Sequence, residues 1–423
     1  MKENLLHFIW KYKLFSTNKL VSTAGETIEI KATGSQNLNA GPDFLHAKIS
    51  IGDQLWAGTI EIHIQSSDWY AHGHESDDSY QSVILHVVWE HDVDIFYSSN
   101  QVLATLELKN LISPKTLLNY KKLFDQNKKW INCEKEIATT DVFVLNNWLE
   151  RLYFERLEKK AEQIQQVLEK NHNNWEATLF VSLAKNFGLK VNGEAFLSFA
   201  NSFDFSIVRK VSSNRYQLEA LFFGQAGLLT DPIESMYYRE LKEAYRYLKR
   251  KYQLQEISKN QVQFFRLRPN NFPTIRLSQL ADLYYNYQSL FSKLIEIEDI
   301  NDFYKLLSVS TSPFWQSHYT FETESKKRIK KLTNPFIDLL LINTIIPLKF
   351  MFLKSLGKSD FGALLKIIEQ IEPEKNTIIS KFNDLKVEST NAFKTQALLQ
   401  LKNEYCNKQL CLQCGIGREV LKP

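Results

Sequence analysis

The sequence predicts an α+β protein, with a sheet domain at the N-terminus followed by a larger, irregular all-helical domain. Apolar residues alternate with a period of two in the first hundred residues, and the period becomes helical after residue 113. Only 14 glycines and 10 prolines interrupt the 423 residues, which suits long helices. We therefore expect two domains, residues 1–135 and residues 136–423.

The first domain should begin with an amphipathic helix at residues 3–15 and continue as a sheet. Two alternating runs, residues 44–51 and 55–64, flank Gly52, Asp53 and Gln54, which predicts an antiparallel hairpin. Further strands are expected at residues 27–32, 83–89 and 102–108. The polar segment 66–80 between them has poor helix propensity.

The second domain should be helical throughout. Ser113 and Pro114 are typical of an N-cap followed by proline at the first helical position. Apolar residues then follow one helix face over residues 142–168. The same spacing predicts further helices at 175–187, 214–227, 233–252, 276–298, 335–356, 360–371 and 391–406.

Charge is distributed unevenly along the chain. Residues 1–135 contain 13 lysines, no arginine and 16 acidic residues, a net charge of −3, and the remainder carries +7. A basic helical region beside an acidic, metal-binding one suits a phosphate-rich partner such as nucleic acid. Ordinary solvated helices would explain so small an excess equally well.

Nothing in the sequence predicts export or a membrane anchor. Charged residues interrupt every turn of the N-terminal stretch. The most apolar later run, residues 336–352, is broken by Asp338, Asn343, Pro347 and Lys349. We therefore expect a cytoplasmic protein that does not enter a membrane, and the oligomeric state is left open.

The predicted hairpin carries the first candidate site. Pairing about its turn sets Asp43 opposite Ile62 or His63, and alternation places Glu61 and His63 on one face. Buried carboxylates need a partner or a cation, so Asp43, Glu61 and His63 predict a catalytic site that binds Mg²⁺ or Mn²⁺. His63 could act as general base, or as a ligand that favours Mn²⁺ or Zn²⁺. A polar cluster that only stabilises the turn is the alternative.

Gly41-Pro42-Asp43, a strand, and Glu61-Ile62-His63 together resemble the PD-(D/E)XK nuclease signature. The resemblance implies a restriction-endonuclease-like core: a helix, a three-stranded meander, a second helix and a fourth strand. Pro-Asp and Glu-x-Lys on adjacent strands of that core bind magnesium. Here His63 replaces the lysine, and no lysine or arginine lies between Lys48 and Lys109.

Taken at full length, the sequence is similar to an uncharacterised bacterial family, domain of unknown function 2851. The similarity extends through NAGPDF, DWYAHGH, LHVVWEHD, RPNNFP and the terminal cysteines. It implies relatives, but no reaction.

Histidines are concentrated beside the hairpin. Seven of the nine lie in the first 91 residues, and His72, His74 and His86 follow the hairpin directly. We expect these three to be metal ligands, with Asp68, Asp77 and Asp78 as further donors. A histidine on an apolar strand, such as His86, is otherwise an ordinary core residue.

Four cysteines form a second candidate metal site. Cys406, Cys411 and Cys414 are clustered at the C-terminus, and Cys133 is the fourth cysteine of the chain. Four thiolates suit a structural Zn²⁺, and the terminal spacing also suits an iron–sulfur cluster. Ordinary thiols in a helical tail are the alternative.

A basic and aromatic segment, residues 264–276, is the candidate nucleic-acid contact. Arg266, Arg268 and Arg276 could bind phosphates while neighbouring rings stack on bases. The basic run at residues 326–331 could add phosphate contacts.

These patterns together predict a cytoplasmic metal-dependent phosphodiesterase of nuclease type that acts on nucleic acid. Two alternatives stay open. The chain could be a non-catalytic nucleic-acid-binding or scaffold protein that keeps the fold, or a His-rich zinc hydrolase of another class.

Overall fold

The computed structural model describes residues 2–97, 99–125 and 129–422, and the chain forms two compact units. Unit 1 comprises Met1–Trp148 and Leu401–Pro423, and unit 2 comprises Leu149–Gln400. The C-terminal segment thus belongs with the N-terminal residues, unlike the expected division at residue 135. Hydrogen bonds attach it there: Asn119 Nδ2 donates to the Val420 carbonyl at 3.0 Å, and Asn132 Nδ2 donates to Cys411 Sγ at 3.3 Å.

Unit 1 contains a seven-stranded sheet, which confirms the predicted order of a sheet followed by helices. The strands are β1 Leu20–Val21, β2 Thr27–Ala32, β3 Ser35–Gln36, β4 Phe44–Ile51, β5 Gln54–Gln65, β6 Val83–Glu90 and β7 Thr105–Glu107. Their order is β1-β2-β4-β5-β6-β7, and β3 pairs with β4. Thr23 N, just after β1, donates to Thr105 O in β7 at 2.9 Å, so the sheet is nearly closed.

A β-bulge in β4 shifts the register of the hairpin. Ala47 pairs with Gly58, but Phe44 pairs with Ile60, so an extra residue of β4 lies between these pairs. His46, inside the bulge, has φ +60°. The register therefore brings Asp43 level with Glu61, one residue from Ile62, the nearer of the two positions that pairing about the turn predicts.

Helix α1, Glu3–Lys11, packs on one face of this sheet. Its buried Leu5 and Ile9 belong to the same apolar core as Phe44, Ile60 and Ile62. Because side chains alternate along a strand, Glu61 and His63 project away from that core.

The connection from β5 to β6 contains short helical turns, and the two strands are parallel. It consists of helix α2, Asp68–Ala71, and two 3₁₀ turns, His74–Ser76 and Asp78–Tyr80. Strand β7 is parallel to β6 and is followed by helix α3, Pro114–Leu123. Ser113 precedes this helix, and its Oγ accepts a hydrogen bond from Lys115 N. The predicted N-cap at Ser113 is confirmed.

Unit 2 is helical, and the division between the units falls inside its first helix. Its helices are α4 Val142–Lys170, α5 Trp175–Phe187, α6 Leu189–Asn201, α7 Ser206–Val211, α8 Arg215–Gln225, α9 Met236–Tyr252, α10 Pro273–Asn286, α11 Leu290–Glu296, α12 Ile300–Leu307, α13 Pro313–Gln316, α14 Asn334–Leu340, α15 Ile346–Ser355, α16 Gly362–Gln370, α17 Thr377–Asp384 and α18 Ala392–Gln400. A π-helical turn, Leu341–Ile345, joins α14 to α15.

The C-terminal segment returns to unit 1. It contains a π-helical turn, Leu401–Cys406, a 3₁₀ turn, Cys411–Gln413, and helix α19, Gly415–Val420.

One stretch of the described chain, Asn334–Ser355, is long and apolar enough to cross a membrane by length and composition alone. Inside the protein, 72% of its most apolar part is buried. Such a stretch is weak evidence for a membrane span, because core helices share these properties.

Candidate metal centre

The hairpin brings the three predicted catalytic residues into contact at one place in unit 1. Asp43 Oδ2 accepts a hydrogen bond from Ile62 N at 3.0 Å. In return, Asp43 N donates to Glu61 Oε2 at 3.2 Å. The other carboxylate oxygen, Glu61 Oε1, lies 3.5 Å from Nε2 of His63. The bulge in β4 positions these groups.

His72 and His74 extend this group. His72 Nδ1 lies 3.0 Å from His63 Nε2, and His74 Nε2 lies 3.3 Å from Glu61 Oε1. One ring nitrogen from each of the three histidines lies within 4.8 Å of the other two. Two ligands at about 2.1 Å from a single ion are separated by about 2.9 to 3.4 Å. The spacings of the three imidazoles therefore suit a shared cation, and Glu61 lies beside two of them, His63 and His74, as a further oxygen donor.

The protonation of these groups without a cation also suits a metal site. Burial, together with the charge of Asp43, raises the pKa of Glu61 to about 9. Burial, with the neighbouring His86 and His72, lowers the pKa of His63 to about 2. Neutral imidazole is the form that binds metals, and a bound cation would favour the ionised form of Glu61.

A buried nitrogen at the centre also lacks a hydrogen bond. His74 Nε2 has no hydrogen-bond partner among the described residues, although the side chain is only 10% exposed. A buried polar atom without a partner is costly, and a cation between His74 and Glu61 would satisfy it.

His86 lies behind His63 and outside the group of three converging histidines. Its Nε2 lies 2.8 Å from His63 Nδ1, on the opposite side of the ring from the nitrogen that faces His72. Of the predicted histidine ligands, His86 is the one outside the group whose nitrogens converge. Metal-bound histidines commonly hydrogen-bond through their second nitrogen, so His86 fits an orienting role.

The turn after α2 determines where His72 and His74 point. Gly73 between them has φ +73°, a left-handed conformation that favours glycine. The His74 ring stacks on Tyr80, with ring centroids 3.7 Å apart, and meets the Trp69 ring edge-on at 5.3 Å. These aromatic contacts hold His74 toward β5.

Two of the three predicted acidic donors, Asp68 and Asp77, make local hydrogen bonds. Asp68 Oδ2 accepts from Gln65 N at 2.9 Å, and Asp77 Oδ1 accepts from Ser79 N at 2.8 Å. These bonds stabilise the turns that present the histidines.

Helix α1 contributes two residues that the sequence reasoning missed. His7 Nε2 lies 3.2 Å from Asp43 Oδ2. Burial lowers the pKa of His7, but Asp43 and Glu3 raise it, and the net shift is upward. Burial and the charge of Asp43 also raise the pKa of Glu3, although His7 and His72 oppose this shift. The spacing of Glu3 and His7 predicts a shared helix face, but not its contact with the hairpin.

The four cysteines also come together within unit 1. Cys133, Cys406, Cys411 and Cys414 all line a cavity of about 10 Å³. All four are free thiols, and Cys133 and Cys414 are buried. The cavity has room for about one small sphere, which suits a single ion. The predicted grouping of one distant and three terminal cysteines is thus present in space.

Hydrogen bonds toward the sulfur atoms suit bound thiolates. Asn132 Nδ2 donates to Cys411 Sγ. Burial raises the pKa of Cys414 to about 11, although the backbone N–H groups of Ile416 and Gly417 lower it. A tetrahedral zinc spaces its sulfurs by about 3.8 Å. No three of these described sulfurs lie within 4.8 Å of one another, so zinc binding requires them to move inward.

The three predicted nucleic-acid contacts have different surroundings in unit 2. Arg266 is exposed, has φ +61°, and lies over the ring of its neighbour Phe265. Arg268 and Arg276 instead line one cavity of about 330 Å³. Arg276 is only 6% exposed, so it cannot lie against the outside of a nucleic-acid helix.

Comparison with known proteins gives a family but no activity. No curated protein and no solved structure matches the chain. The family model described as "Protein of unknown function (DUF2851)" matches residues 3–377, which include the whole histidine and carboxylate centre and end before the three terminal cysteines. The chain belongs to this family of proteins of unknown function, DUF2851.

Proposed function

We propose that the chain is a metal-dependent phosphodiesterase that acts on nucleic acid. The ion would be held in unit 1 by Glu61, His63, His72 and His74, with Asp43 beside it. The observation that carries the proposal is the contact of Glu61 with both His63 and His74, at 3.5 and 3.3 Å. Buried groups at these separations suit ligands of a shared cation.

The arrangement of unit 1 supports the nuclease class. Apart from the two-residue strands β1 and β3, helix α1 is followed by the antiparallel strands β2-β4-β5, then by the four-residue helix α2, and then by β6 parallel to β5. This order supports the PD-(D/E)XK resemblance. In that interpretation, Asp43 directly before β4 and Glu61 on β5 would correspond to its two acids, and His63 to its lysine.

The surroundings of His63 favour a ligand over a general base. Its ring is 1% exposed, and both of its nitrogens already face other histidines, His86 and His72. A group with a pKa near 2 is a poor acceptor of a proton from water at neutral pH. Several imidazoles beside a carboxylate favour Mn²⁺ or Zn²⁺ over Mg²⁺.

A bound ion would stabilise charge on the phosphate and lower the pKa of a coordinated water. The protein residues would bind and orient. Glu61 and the three histidines hold the cation, His7 fixes the carboxylate of Asp43, and His86 fixes the ring of His63.

Cleavage assays test the proposal directly. Single-stranded and duplex DNA and RNA are incubated with the protein and Mn²⁺, Zn²⁺ or Mg²⁺. We expect cleavage with Mn²⁺ or Zn²⁺ that Glu61→Gln abolishes without unfolding the protein. Glu29→Gln is the matched control, because Glu29 is an exposed acid on β2 of the same sheet. If every substrate stays intact with the wild-type protein and each metal, the proposal is wrong.

A hydrolase of another class with a zinc site is the second candidate, and the convergence of His63, His72 and His74 favours it. It predicts about one zinc per chain at this centre that the double variant His72→Ala/His74→Ala no longer binds. It also predicts hydrolysis of small phosphate or acyl esters by a protein that leaves nucleic acid intact.

A further inference from the structure

A pocket in unit 2 gathers five basic side chains. This basic pocket has a volume of about 330 Å³, and its basic lining residues are Arg268, Arg276, Arg328, Lys330 and Lys331. They come from two segments that are distant in sequence, residues 268–279 and 328–333. No aspartate or glutamate is among the described residues that line it.

Arg276 lines the pocket and is only 6% exposed. Its Nη1 donates to Gln279 Oε1 at 2.9 Å, and its Nη2 donates to Asn271 Oδ1 at 2.6 Å. Its guanidinium carbon lies 3.5 Å from the centre of the Phe336 ring. Its Nε atom is buried without a partner among the described residues. All of these neighbours are neutral.

Two other cations of the pocket, Lys330 and Arg328, have neutral partners as well. Lys330 is 5% exposed, and its Nζ donates to the carbonyls of Trp315 and His318. Arg328 donates to the side chains of Asn270 and Tyr319.

Over the described ranges of the chain, none of the five cations forms an ion pair. A buried cation is costly unless an anion compensates it. An anion that enters from solvent would supply the charge that the lining lacks.

We propose that the basic pocket binds the terminal phosphate of a phosphorylated ligand. Guanidinium groups match the geometry of phosphate oxygens, and a terminal phosphate has two negative charges for such a site. The volume is at the lower end for small-molecule pockets. A cavity of this size accepts a group that enters end-on, whereas a continuous nucleic-acid backbone needs an open groove.

This proposal is independent of the metal centre in unit 1. The pocket could bind a phosphate whether or not the protein cleaves phosphodiesters. All binding measurements therefore use the full-length Glu61→Gln protein without added divalent metal, so that no oligonucleotide is cut during a titration.

Three probes identify the ligand: inorganic pyrophosphate, a short 5′-phosphorylated DNA strand, and the same strand with a 5′-hydroxyl. We expect calorimetry to detect binding of pyrophosphate, of the phosphorylated strand, or of both. Binding of pyrophosphate alone identifies a small phosphorylated molecule, and binding of the phosphorylated strand alone identifies a nucleic-acid end. In either case Arg268→Ala and Arg328→Ala should each weaken binding by about tenfold or more.

Arg266→Ala is the matched control. Arg266 and Arg268 are both exposed and lie two residues apart, but Arg268 lines the pocket and Arg266 does not. Arg266→Ala should leave the affinity within about twofold. The proposal is overturned if neither phosphate probe binds, if the 5′-hydroxyl strand binds as tightly as the phosphorylated one, or if Arg266→Ala weakens binding as much as Arg268→Ala.

Discussion

His63 Nδ1 lies 2.8 Å from His86 Nε2, and both rings are almost completely buried. The contact leaves the other nitrogen of His63 facing His72 and Glu61. Such a contact would fix the orientation of the His63 ring before a metal bound. This role would explain why His86, which lies outside the group of converging histidine nitrogens, is at the centre of β6.

Replacement of His86 should therefore weaken metal binding without removing a ligand. We expect His86→Phe, which keeps a ring but loses both nitrogens, to lower the affinity for Mn²⁺ or Zn²⁺ by about 10- to 100-fold. His86→Gln, which keeps a hydrogen-bonding group, should recover part of the loss. Competition titrations with a chelating dye measure the metal affinity of both variants. The control is His91→Ala, because His91 contacts Asp94 outside the centre. Unchanged affinity in His86→Phe would exclude the orienting role.

Glu61 should make the metal-free protein less stable as the pH rises. Its pKa is about 9 in the folded protein and 4.5 for an ordinary glutamate. Between these values the folded state binds more protons than the unfolded state, so stability falls with rising pH. We expect Glu61→Gln to lose less stability than the wild type from pH 5 to pH 9, in urea denaturation with EDTA.

A divalent metal should stabilise the wild type more than Glu61→Gln at high pH. At pH 8, Mn²⁺ should raise the urea midpoint of the wild type, because it binds the folded state, and should stabilise Glu61→Gln much less. Glu29→Gln, at an exposed position, should behave as the wild type in both experiments. Equal pH slopes in the wild type and Glu61→Gln would show that Glu61 is not held protonated.

Short-range patterns made much of this centre predictable. The alternation in β5 separates Glu61 and His63 from the apolar Ile60 and Ile62, which the structure confirms by their burial in the core. The turn at Gly52 sets the hairpin ends within one residue of the observed register. Since pairing over so few residues leaves little freedom, sequence alone is informative here.

Other features of the two candidate sites depend on tertiary contacts that no local sequence pattern encodes. The bulge at His46 changes which residue lies level with Asp43, and a bulge has no simple period. The contact of His7 with Asp43 requires the packing of α1 on the sheet. Likewise, the basic pocket needs Arg276 and Arg328 to meet across a long sequence separation, and only the tertiary fold determines this.

Gly73 should be required for the position of His74. Gly73 has φ +73°, a conformation that costs a residue with a side chain about 1 kcal/mol of unfolding free energy. An added Cβ would not clash, because the nearest atom, Ser76 Oγ, lies 4.0 Å away. We expect Gly73→Ala to lose about 1 kcal/mol of unfolding free energy and also to weaken metal binding. Gly73→Asn should be milder, since asparagine tolerates this conformation.

Gly25→Ala separates the two effects of the Gly73 change. Gly25 has φ +87° and open space around it, in the turn between β1 and β2. Gly25→Ala should lose about as much unfolding free energy in urea denaturation as Gly73→Ala, but it should keep the metal affinity of the wild type. If Gly73→Ala also keeps that affinity, the turn does not position His74.

The cysteine site should hold a metal in protein purified without oxygen. We expect elemental analysis to find about one zinc per chain that Cys411→Ser removes, because four cysteines line one small cavity and would suit tetrahedral zinc once their sulfurs move inward. Gly417→Ala should remove the zinc as well, since an added Cβ would lie 2.1 Å from the Cys411 carbonyl oxygen and displace that loop.

Iron with acid-labile sulfide and a visible absorption band would instead identify an iron–sulfur cluster at the four cysteines. Replacement of both His72 and His74 should leave this metal in place, because the two sites share no ligand. Protein that contains neither zinc nor iron, with all four thiols reactive toward a thiol reagent under native conditions, would show that the cysteines bind no metal.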